Sequence, residues 1–319
     1  AAMAALRGDL LVLGVGGKMG PSLARLAARA SREAGVPRRI IGVSRFSTPG
    51  LAAELQAAGI ETIACDLLDR GALEALPDCP NVVFMTGRKF GSTGRESLTW
   101  AMNVVAPALA AERFRASRIV AFSTGNVYPL APVSSGGPAE SDPPTPVGEY
   151  AQSCLGRERM FQYFSETWGT PAVILRLNYA IDLRYGVLHD VAQKVWRREP
   201  IDLSMGCVNV IWQRDANSIA LRAFAHCQSP PLLLNLTGPE TVFIRWLALE
   251  FGKILGVEPS FSGAEAATAL LSNAALCARL FGPAETSLDQ MVRWVAHWVK
   301  TGGRSLDKPT HFESRDGKF

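Results

Sequence analysis

The glycine-rich stretch LGVGGKMG, Leu13–Gly20, narrows the range of folds for this chain more than any other feature. It follows an apolar run and opens a segment whose apolar residues recur with helical spacing as far as Gly35. A strand, a glycine turn and a helix in this order place the helix N-terminus against the pyrophosphate of a dinucleotide. The spacing is carried by Gly14, Gly17 and Gly20, with Gly16 as an extra glycine, and Lys18 and Met19 complete the predicted cofactor loop.

Apolar strands and amphipathic helices alternate through the first half of the chain. Such alternation predicts βαβ units and a parallel sheet, and right-handed crossovers make that sheet doubly wound. The fold class is therefore α/β, a Rossmann domain with a smaller C-terminal substrate domain. Further strands are predicted at 38–45, 61–66, 81–87, 118–125 and 172–179, and helices at 51–59, 69–75, 95–115 and from 148 onwards.

The pattern loosens after Tyr179. We interpret residues 1–180 as the NAD(P)-binding domain, with a returning strand near 206–226, and residues 181–319 as mainly a substrate-binding domain. A long Pro- and Gly-rich loop at 128–149 precedes the helix at 148, where loops of this length are usually functional or disordered. In the second half, VNVIW and LLLNLT indicate strands, and 242–255, 264–281 and 286–300 indicate helices.

Composition and charge limit the class of partner. The formal net charge of +4 comes without a dense Lys/Arg run, which fits an anionic small molecule better than nucleic acid. Six cysteines form no CxxC pair, which indicates a reducing compartment, and we expect a cytoplasmic protein without a signal peptide or a membrane span. The four histidines follow no ligand spacing, so no metal is predicted.

The second predicted strand ends in Ser44 and Arg45, where a cofactor with a free 2′-hydroxyl is usually met by an acid. An arginine suits a 2′-phosphate, so we favour NADP, with NAD or a merely solvated Arg45 as the alternatives. Asp66 after the third strand either faces the adenine or caps a helix. The cationic stretch 86–97, with Arg88, Lys89 and Arg95, either contacts an anionic substrate or is a solvated loop.

Several ordered motifs resemble those of the extended short-chain dehydrogenase/reductases, in the nucleotide-sugar epimerase/dehydratase group. The resemblance spans roughly residues 9–300 and includes the glycine loop, DLLD at 66–69, MNVVAP around Asn103, VAFSTGNVYP, the tyrosine helix and LRLNYA. VVFMTG aligns with a strand that usually ends in paired alanines, where this chain has Met85 and Thr86. The resemblance implies cofactor contacts by Asp66, Leu67, Met85, Thr86, Asn103 and Asn178, and a homodimer formed through the helices at 95–115 and 148–168.

The resemblance also implies the chemistry. Tyr150 is the expected acid/base that moves a proton while hydride passes between a substrate carbon and nicotinamide, and Ser123, with its neighbour Thr124, is expected to hold the substrate oxygen. The family carries a lysine four positions after the tyrosine, and this chain has Cys154 there. A lysine favours the tyrosinate by its charge, and a cysteine lacks that charge.

Two interpretations of Cys154 are open. A thiol in the cleft can act as an acid, base or nucleophile if a cation lowers its pKa, whereas a buried free cysteine is commonly an inert apolar filler, which we favour. Arg157, one turn further along, either supplies the missing charge or is an exposed helix arginine, and the exposed arginine is favoured.

Two functions follow for the chain. The first is an NADP-using epimerase/dehydratase-type oxidoreductase that acts on a carbohydrate or a related hydroxy or keto substrate. The alternative, supported by Cys154, is a catalytically impaired NADP-binding sensor or scaffold. No GxSxG elbow surrounds Ser123, which argues against a serine hydrolase.

Overall fold

The computed structural model describes residues 2–89, 91 and 93–318. The helices in this part of the chain are α1 Ala2–Ala5, α2 Gly20–Glu33, α3 Leu51–Ala57, α4 Arg70–Glu74, α5 Glu96–Trp100, α6 Ala106–Arg113, α7 Gly148–Trp168, α8 Val187–Arg197, α9 Gln213–Arg222, α10 Ile244–Leu255, α11 Ala275–Phe281 and α12 Leu288–Lys300. The strands are β1 Leu10–Leu13, β2 Ile40–Ser44, β3 Glu61–Ala64, β4 Asn81–Phe84, β5 Arg118–Thr124, β6 Ala131–Pro132, β7 Ala172–Leu177, β8 Ala180–Ile181, β9 Ile201–Asp202, β10 Cys207–Val208, β11 Ile211–Trp212, β12 Leu232–Leu236, β13 Val242–Phe243, β14 Phe261–Ser262 and β15 Thr268–Ala269.

A seven-stranded parallel sheet confirms the predicted doubly wound α/β fold. Its strand order is β12-β7-β5-β4-β1-β2-β3, and β1 pairs in parallel with both β2 and β4. Every residue of β1 and β4 is buried, as expected for strands covered on both faces by helices. The strand order changes direction between β1 and β4. Ligands of such sheets bind in the crevice at the carboxyl ends of the strands at that point.

The long helix α7 packs against α5, α6 and the π-helical turn Ala101–Val105 between them. Phe161 of α7 meets Phe84 of β4 edge to face, with ring centroids 5.3 Å apart. Both aromatic rings belong to the apolar core beneath the sheet. Cys154 and Arg157 lie on the buried side of α7.

The chain divides into two compact units that differ from the predicted boundary at residue 180. The first unit contains residues 1–124, 148–176 and 217–234, and the second contains 125–147, 177–216 and 235–319. The strand expected near 206–226 to return to the sheet is wrong, because 213–222 form a helix and the strand that joins the sheet is β12. The helix expected over 264–281 is also too long, since β15 and a loop occupy its first half.

The second unit has its own apolar core. Helices α8, α10 and α12 pack against each other, with Val191, Leu247 and Val295 fully buried between them. The strands of this unit form two-stranded pairs, β10 with β13, β11 with β8, β14 with β9, and β15 with β6. Ser287 begins α12 in a capping box with Gln290, which satisfies amides at the helix start. Within the described residues, no helix is long and apolar enough to cross a membrane.

Candidate active site

A cleft opens in the first unit where the sheet changes direction. Its walls come from the turn after β1 and from the ends of β2, β3 and β4, which is the place where parallel sheets of this order bind nucleotides. The residues that line the cleft are Gly14, Gly16, Gly17, Val43, Ser44, Arg45, Ser47, Cys65, Asp66, Leu67, Met85, Thr86, Gly87 and Met102.

The glycine turn fits a dinucleotide pyrophosphate. Gly14 has a φ of 92°, and a Cβ there would lie 2.7 Å from the Thr86 amide nitrogen, so a side chain would collide with the end of β4. A Cβ on Gly20 would lie 2.3 Å from the Val15 carbonyl oxygen, so glycine is needed for α2 to start this close to β1. At Gly17 the nearest atom to such a Cβ is 3.4 Å away, which leaves the turn open on the cleft side. The cradle that a phosphate needs is therefore present.

The far end of the cleft carries the residues expected at the adenosine. The Arg45 guanidinium lies 3.8 Å from the Asp66 carboxylate, and both side chains are largely exposed. The Ser44 hydroxyl accepts a hydrogen bond from the Phe46 amide. Asp66 accepts one from the Leu68 amide, while the cap of α4 is Asp69. The helix-cap alternative for Asp66 is therefore wrong.

Not every residue predicted to contact the cofactor lies in the cleft wall. Lys18 and Met19 belong to the turn before α2, where Met19 is buried at the N-cap. Gly20 is the first residue of that helix. Asn103 is buried in the π-helical turn, one residue from the lining side chain of Met102. Asn178 belongs to the second unit, where its side-chain amide donates to the Leu270 carbonyl.

Tyr150, Thr124 and Cys154 form a hydrogen-bonded cluster in the first unit. The Tyr150 hydroxyl is hydrogen-bonded to the Thr124 hydroxyl and to the Cys154 sulfur. Burial of this hydroxyl raises the pKa of Tyr150 well above its usual range, and Cys154 adds to the rise. Thr124 and Arg157 act in the opposite direction and favour the tyrosinate. Burial also raises the pKa of the Cys154 thiol, so this thiol is protonated near neutral pH.

Ser123 faces a different partner from its neighbour. Its hydroxyl donates to Glu158 Oε1 at 2.6 Å, and the Glu158 carboxylate is held by Arg176 with Nη2 to Oε2 at 2.7 Å. Glu158 and Arg176 are almost completely buried, so their charges are taken out of water together. Ser123 is expected to hold the substrate oxygen, but its hydroxyl donates its hydrogen bond to the Glu158 carboxylate. The neighbouring Thr124 hydroxyl is instead hydrogen-bonded to Tyr150.

Arg157 is buried, so the expectation of an exposed helix arginine is wrong. Its Nη1 donates to the Phe122 carbonyl at 2.9 Å, and its Nη2 donates to Asn103 Oδ1 at 2.7 Å. Asn103 in turn donates to the Ser153 hydroxyl and to the Arg88 carbonyl, and accepts from the Arg88 amide. Asn103 therefore links α7 to the loop after β4.

Sequence reasoning missed the Glu158–Arg176 pair. A signal was available, because Arg176 lies in a strand whose other residues are apolar and a charge in such a place needs a partner. The side-chain direction of Arg157 had no such signal. Its helix has charged residues on several faces, and only the tertiary contacts show which of them turns inward.

A sequence profile of the NAD dependent epimerase/dehydratase family matches residues 10–181. This match covers more than half of the chain. The chain belongs to the NAD dependent epimerase/dehydratase family, and the predicted resemblance is confirmed. A search of curated protein sequences finds no match.

Solved structures agree with this family in fold. The structure of UDP-glucose 4-epimerase from Thermotoga maritima with UDP-glucose has a TM-score of 0.77 at 15% identity, covering 92% of this chain and 99% of that one. UDP-glucuronic acid 4-epimerase from Bacillus cereus with UDP-glucuronic acid and NAD has 0.74 at 16%, with the same coverage. The UDP-Glc/GlcNAc 4-epimerase from Campylobacter jejuni has 0.76 at 19%, covering 92% and 100%.

Proposed function

We propose that this protein is an NADP-dependent epimerase/dehydratase-type enzyme that acts on a nucleotide sugar, with Tyr150 as its acid/base. The observation that carries the proposal is the hydrogen-bonded cluster of Tyr150, Thr124 and Cys154, on α7 and at the end of β5. Gly87, in the wall of the glycine-loop cleft, is in close contact with Arg157, which stands one turn from Cys154. Cleft and cluster are therefore neighbours within one unit.

The chain's own groups have distinct tasks in this reaction. When bound, the dinucleotide supplies a carbon that accepts and returns a hydride. In its deprotonated form, the Tyr150 oxygen takes the proton of the substrate hydroxyl as the substrate carbon loses hydride, and it later returns that proton. Thr124, whose hydroxyl is hydrogen-bonded to the Tyr150 hydroxyl, holds the substrate oxygen in place of Ser123. The Ser123 hydroxyl is not available for this task because it donates its hydrogen bond to Glu158.

The preference for NADP rests on Arg45. Its guanidinium stands at the end of β2, beside Ser44, and is exposed enough to turn toward a 2′-phosphate. Asp66, 3.8 Å away, is the acidic group that would oppose a phosphate there, so the preference depends on Arg45 outweighing it. The substrate class is proposed because the similar structures from Thermotoga maritima and Bacillus cereus contain UDP-sugars.

Two measurements test the proposal. Calorimetric titration with NADPH and NADH is expected to give tighter binding of NADPH. Turnover of UDP-glucose and UDP-glucuronic acid is then followed by chromatography, with Tyr150→Phe as the matched variant. That variant is expected to bind cofactor normally and to lose turnover at least about 100-fold, because it lacks the proton-transfer group. Cofactor binding without turnover of any UDP-sugar would favour the sensor or scaffold function.

We further expect a homodimer formed through the helices at 95–115 and 148–168, that is α5, the π-helical turn, α6 and α7. These helices expose large apolar side chains that a monomer rarely leaves in water, including Trp100, Val105, Tyr163 and Trp168. Light scattering of the wild-type protein and of Tyr163→Arg is the test, and the variant is expected to have half the wild-type mass.

A further inference from the structure

Arg157 is a buried cation beside the Tyr150 cluster. Its guanidinium is held by the Phe122 carbonyl of β5 and by Asn103, so the charge has a fixed position. In the described part of the chain, no carboxylate is ion-paired with it, and its buried Nε has no hydrogen-bond partner. A buried charge without a counter-ion is costly, and such charges are retained mainly where they act on a neighbour.

The Arg157 guanidinium lies near both the Tyr150 cluster and the cofactor cleft. Arg157 lies three residues after Cys154 on the same helix, so the two side chains are neighbours. On the other side, a Cβ built on Gly87 would lie 2.4 Å from Arg157 Nη2, so the guanidinium fills the space behind this part of the cleft wall. Arg157 is thus a neighbour of both Cys154 in the Tyr150 cluster and Gly87 in the cleft wall.

We infer that Arg157 is a positioning residue that supplies the positive charge needed for Tyr150 to work as a base, a task that Cys154 cannot perform. The inference rests on the proposed function and goes beyond it by naming the source of that charge. A fixed cation in a buried setting stabilises a nearby phenolate more than a cation in water does, because less solvent screens it.

Cys154, Arg157 and Lys89 are ionisable residues close to Tyr150. Cys154 on α7 raises the pKa of Tyr150, and Arg157 is the nearby charge that lowers it. The Thr124 hydroxyl of β5 lowers that pKa by its hydrogen bond. Lys89, in the loop after β4, has its Nζ 5.9 Å from the centre of the Tyr150 ring, but its side chain is partly exposed. Lys89 is therefore the competing cation, and the experiment must separate it from Arg157.

The test compares the pH dependence of turnover in the wild type and in three variants. Arg157→Gln keeps a donor for Asn103 and removes the charge, whereas Arg157→Lys keeps the charge. Arg159→Gln removes the same charge from the exposed face of the same helix and is the matched control. Arg157→Gln is expected to move the acidic limb of the rate upward by about one pH unit or more, with about ten-fold slower turnover at neutral pH. Arg157→Lys is expected to restore most of the rate, and Arg159→Gln to match the wild type.

A rescue variant and a spectroscopic measurement complete the design. Cys154→Lys in the Arg157→Gln background is expected to recover at least ten-fold in turnover, because the charge returns one turn away. Labelling with 3-fluorotyrosine lowers the pKa of each phenol, and ¹⁹F NMR of the cofactor-free protein then follows Tyr150, assigned by its loss in Tyr150→Phe. The Tyr150 signal is expected to titrate at higher pH in Arg157→Gln. This measurement needs no substrate, so it decides the inference even if no UDP-sugar is turned over.

The outcomes that overturn the inference are specific. One is an unchanged pH profile and an unchanged Tyr150 titration in folded, cofactor-binding Arg157→Gln. Another is a larger shift in Lys89→Met than in Arg157→Gln, which would assign the charge to Lys89. If Arg157→Gln does not fold, the NMR titration of Lys89→Met decides: a Tyr150 signal that titrates as in the wild type supports Arg157, and a signal that titrates at higher pH assigns the charge to Lys89.

Discussion

Replacing Arg176 by methionine should destabilise the first unit strongly, because it leaves the Glu158 carboxylate buried without its cation. Arg176 binds Glu158 through Nη2 at 2.7 Å and through Nε at 3.1 and 3.2 Å, and both side chains are essentially inaccessible to water. Among the described residues, the Ser123 hydroxyl is the one hydrogen-bond donor that Arg176→Met leaves to the carboxylate. Breaking a buried pair in this way costs about 3–5 kcal/mol. This is a large part of the 5–15 kcal/mol typical of a folded domain.

The double variant Arg176→Met/Glu158→Leu separates the cost of the unpaired charge from the cost of lost packing. With both charges gone, no unpaired charge of this pair stays buried and the Ser123 hydroxyl loses its carboxylate acceptor, so the free energy of unfolding should return to within about 2 kcal/mol of the wild type. Urea unfolding followed by circular dichroism gives the free energies. Hydrogen exchange of peptides from 118–124 and 148–176 assigns the change to the first unit. Equal losses in the single and double variants, or a loss below about 1 kcal/mol in the single one, would contradict the reasoning.

Three further changes have defined outcomes. Gly20→Ala should lower the free energy of unfolding by about 1–3 kcal/mol, because its Cβ would lie 2.3 Å from the Val15 carbonyl oxygen. Gly17→Ala has 3.4 Å from its Cβ to the nearest atom, so it should fold normally and lose cofactor affinity in calorimetry. Arg45→Leu should weaken NADPH binding about ten-fold and leave NADH binding unchanged. Burial raises the pKa of Cys79 from 9.0 to about 11. The thiol therefore ionises at lower pH in the unfolded chain than in the folded one, so the free energy of unfolding falls as pH rises from 9 to 11. In urea unfolding at these pH values, the fall should be up to about 2–3 kcal/mol smaller in Cys79→Ala.

The sheet and the cofactor turn were predictable because local signals determine them. β1 is a continuous apolar run and β4 is apolar after Asn81, and Gly14 and Gly20 stand where backbone contacts admit no side chain. The returning strand and the helix expected over 264–281 were wrong for a related reason. Apart from β12, the strands described after Tyr179 are only two residues long, which leaves little strand periodicity to detect in the sequence.

The polar contacts around Tyr150 were beyond the sequence for a different reason. Ser123 and Thr124 are adjacent hydroxyl residues at the end of one strand, and alternation along a strand sends their side chains to opposite faces. The position of α7 relative to β5 decides whether Ser123 or Thr124 contacts Tyr150. That position follows from packing across the whole unit. In the structure Thr124 touches Tyr150 and Ser123 touches Glu158.

Cys154 and Arg157 are best understood as one arrangement. A lysine at position 154 would place a second cation beside a guanidinium that is already buried and bonded only to neutral oxygens. Two like charges at this spacing on a helix repel each other, and burial strengthens the repulsion. A neutral, compact thiol at 154 avoids this conflict and still accepts the Tyr150 hydrogen bond. A neutral thiol at position 154 and the inward turn of Arg157 are therefore compatible with each other, and the role proposed for Arg157 requires no lysine at position 154.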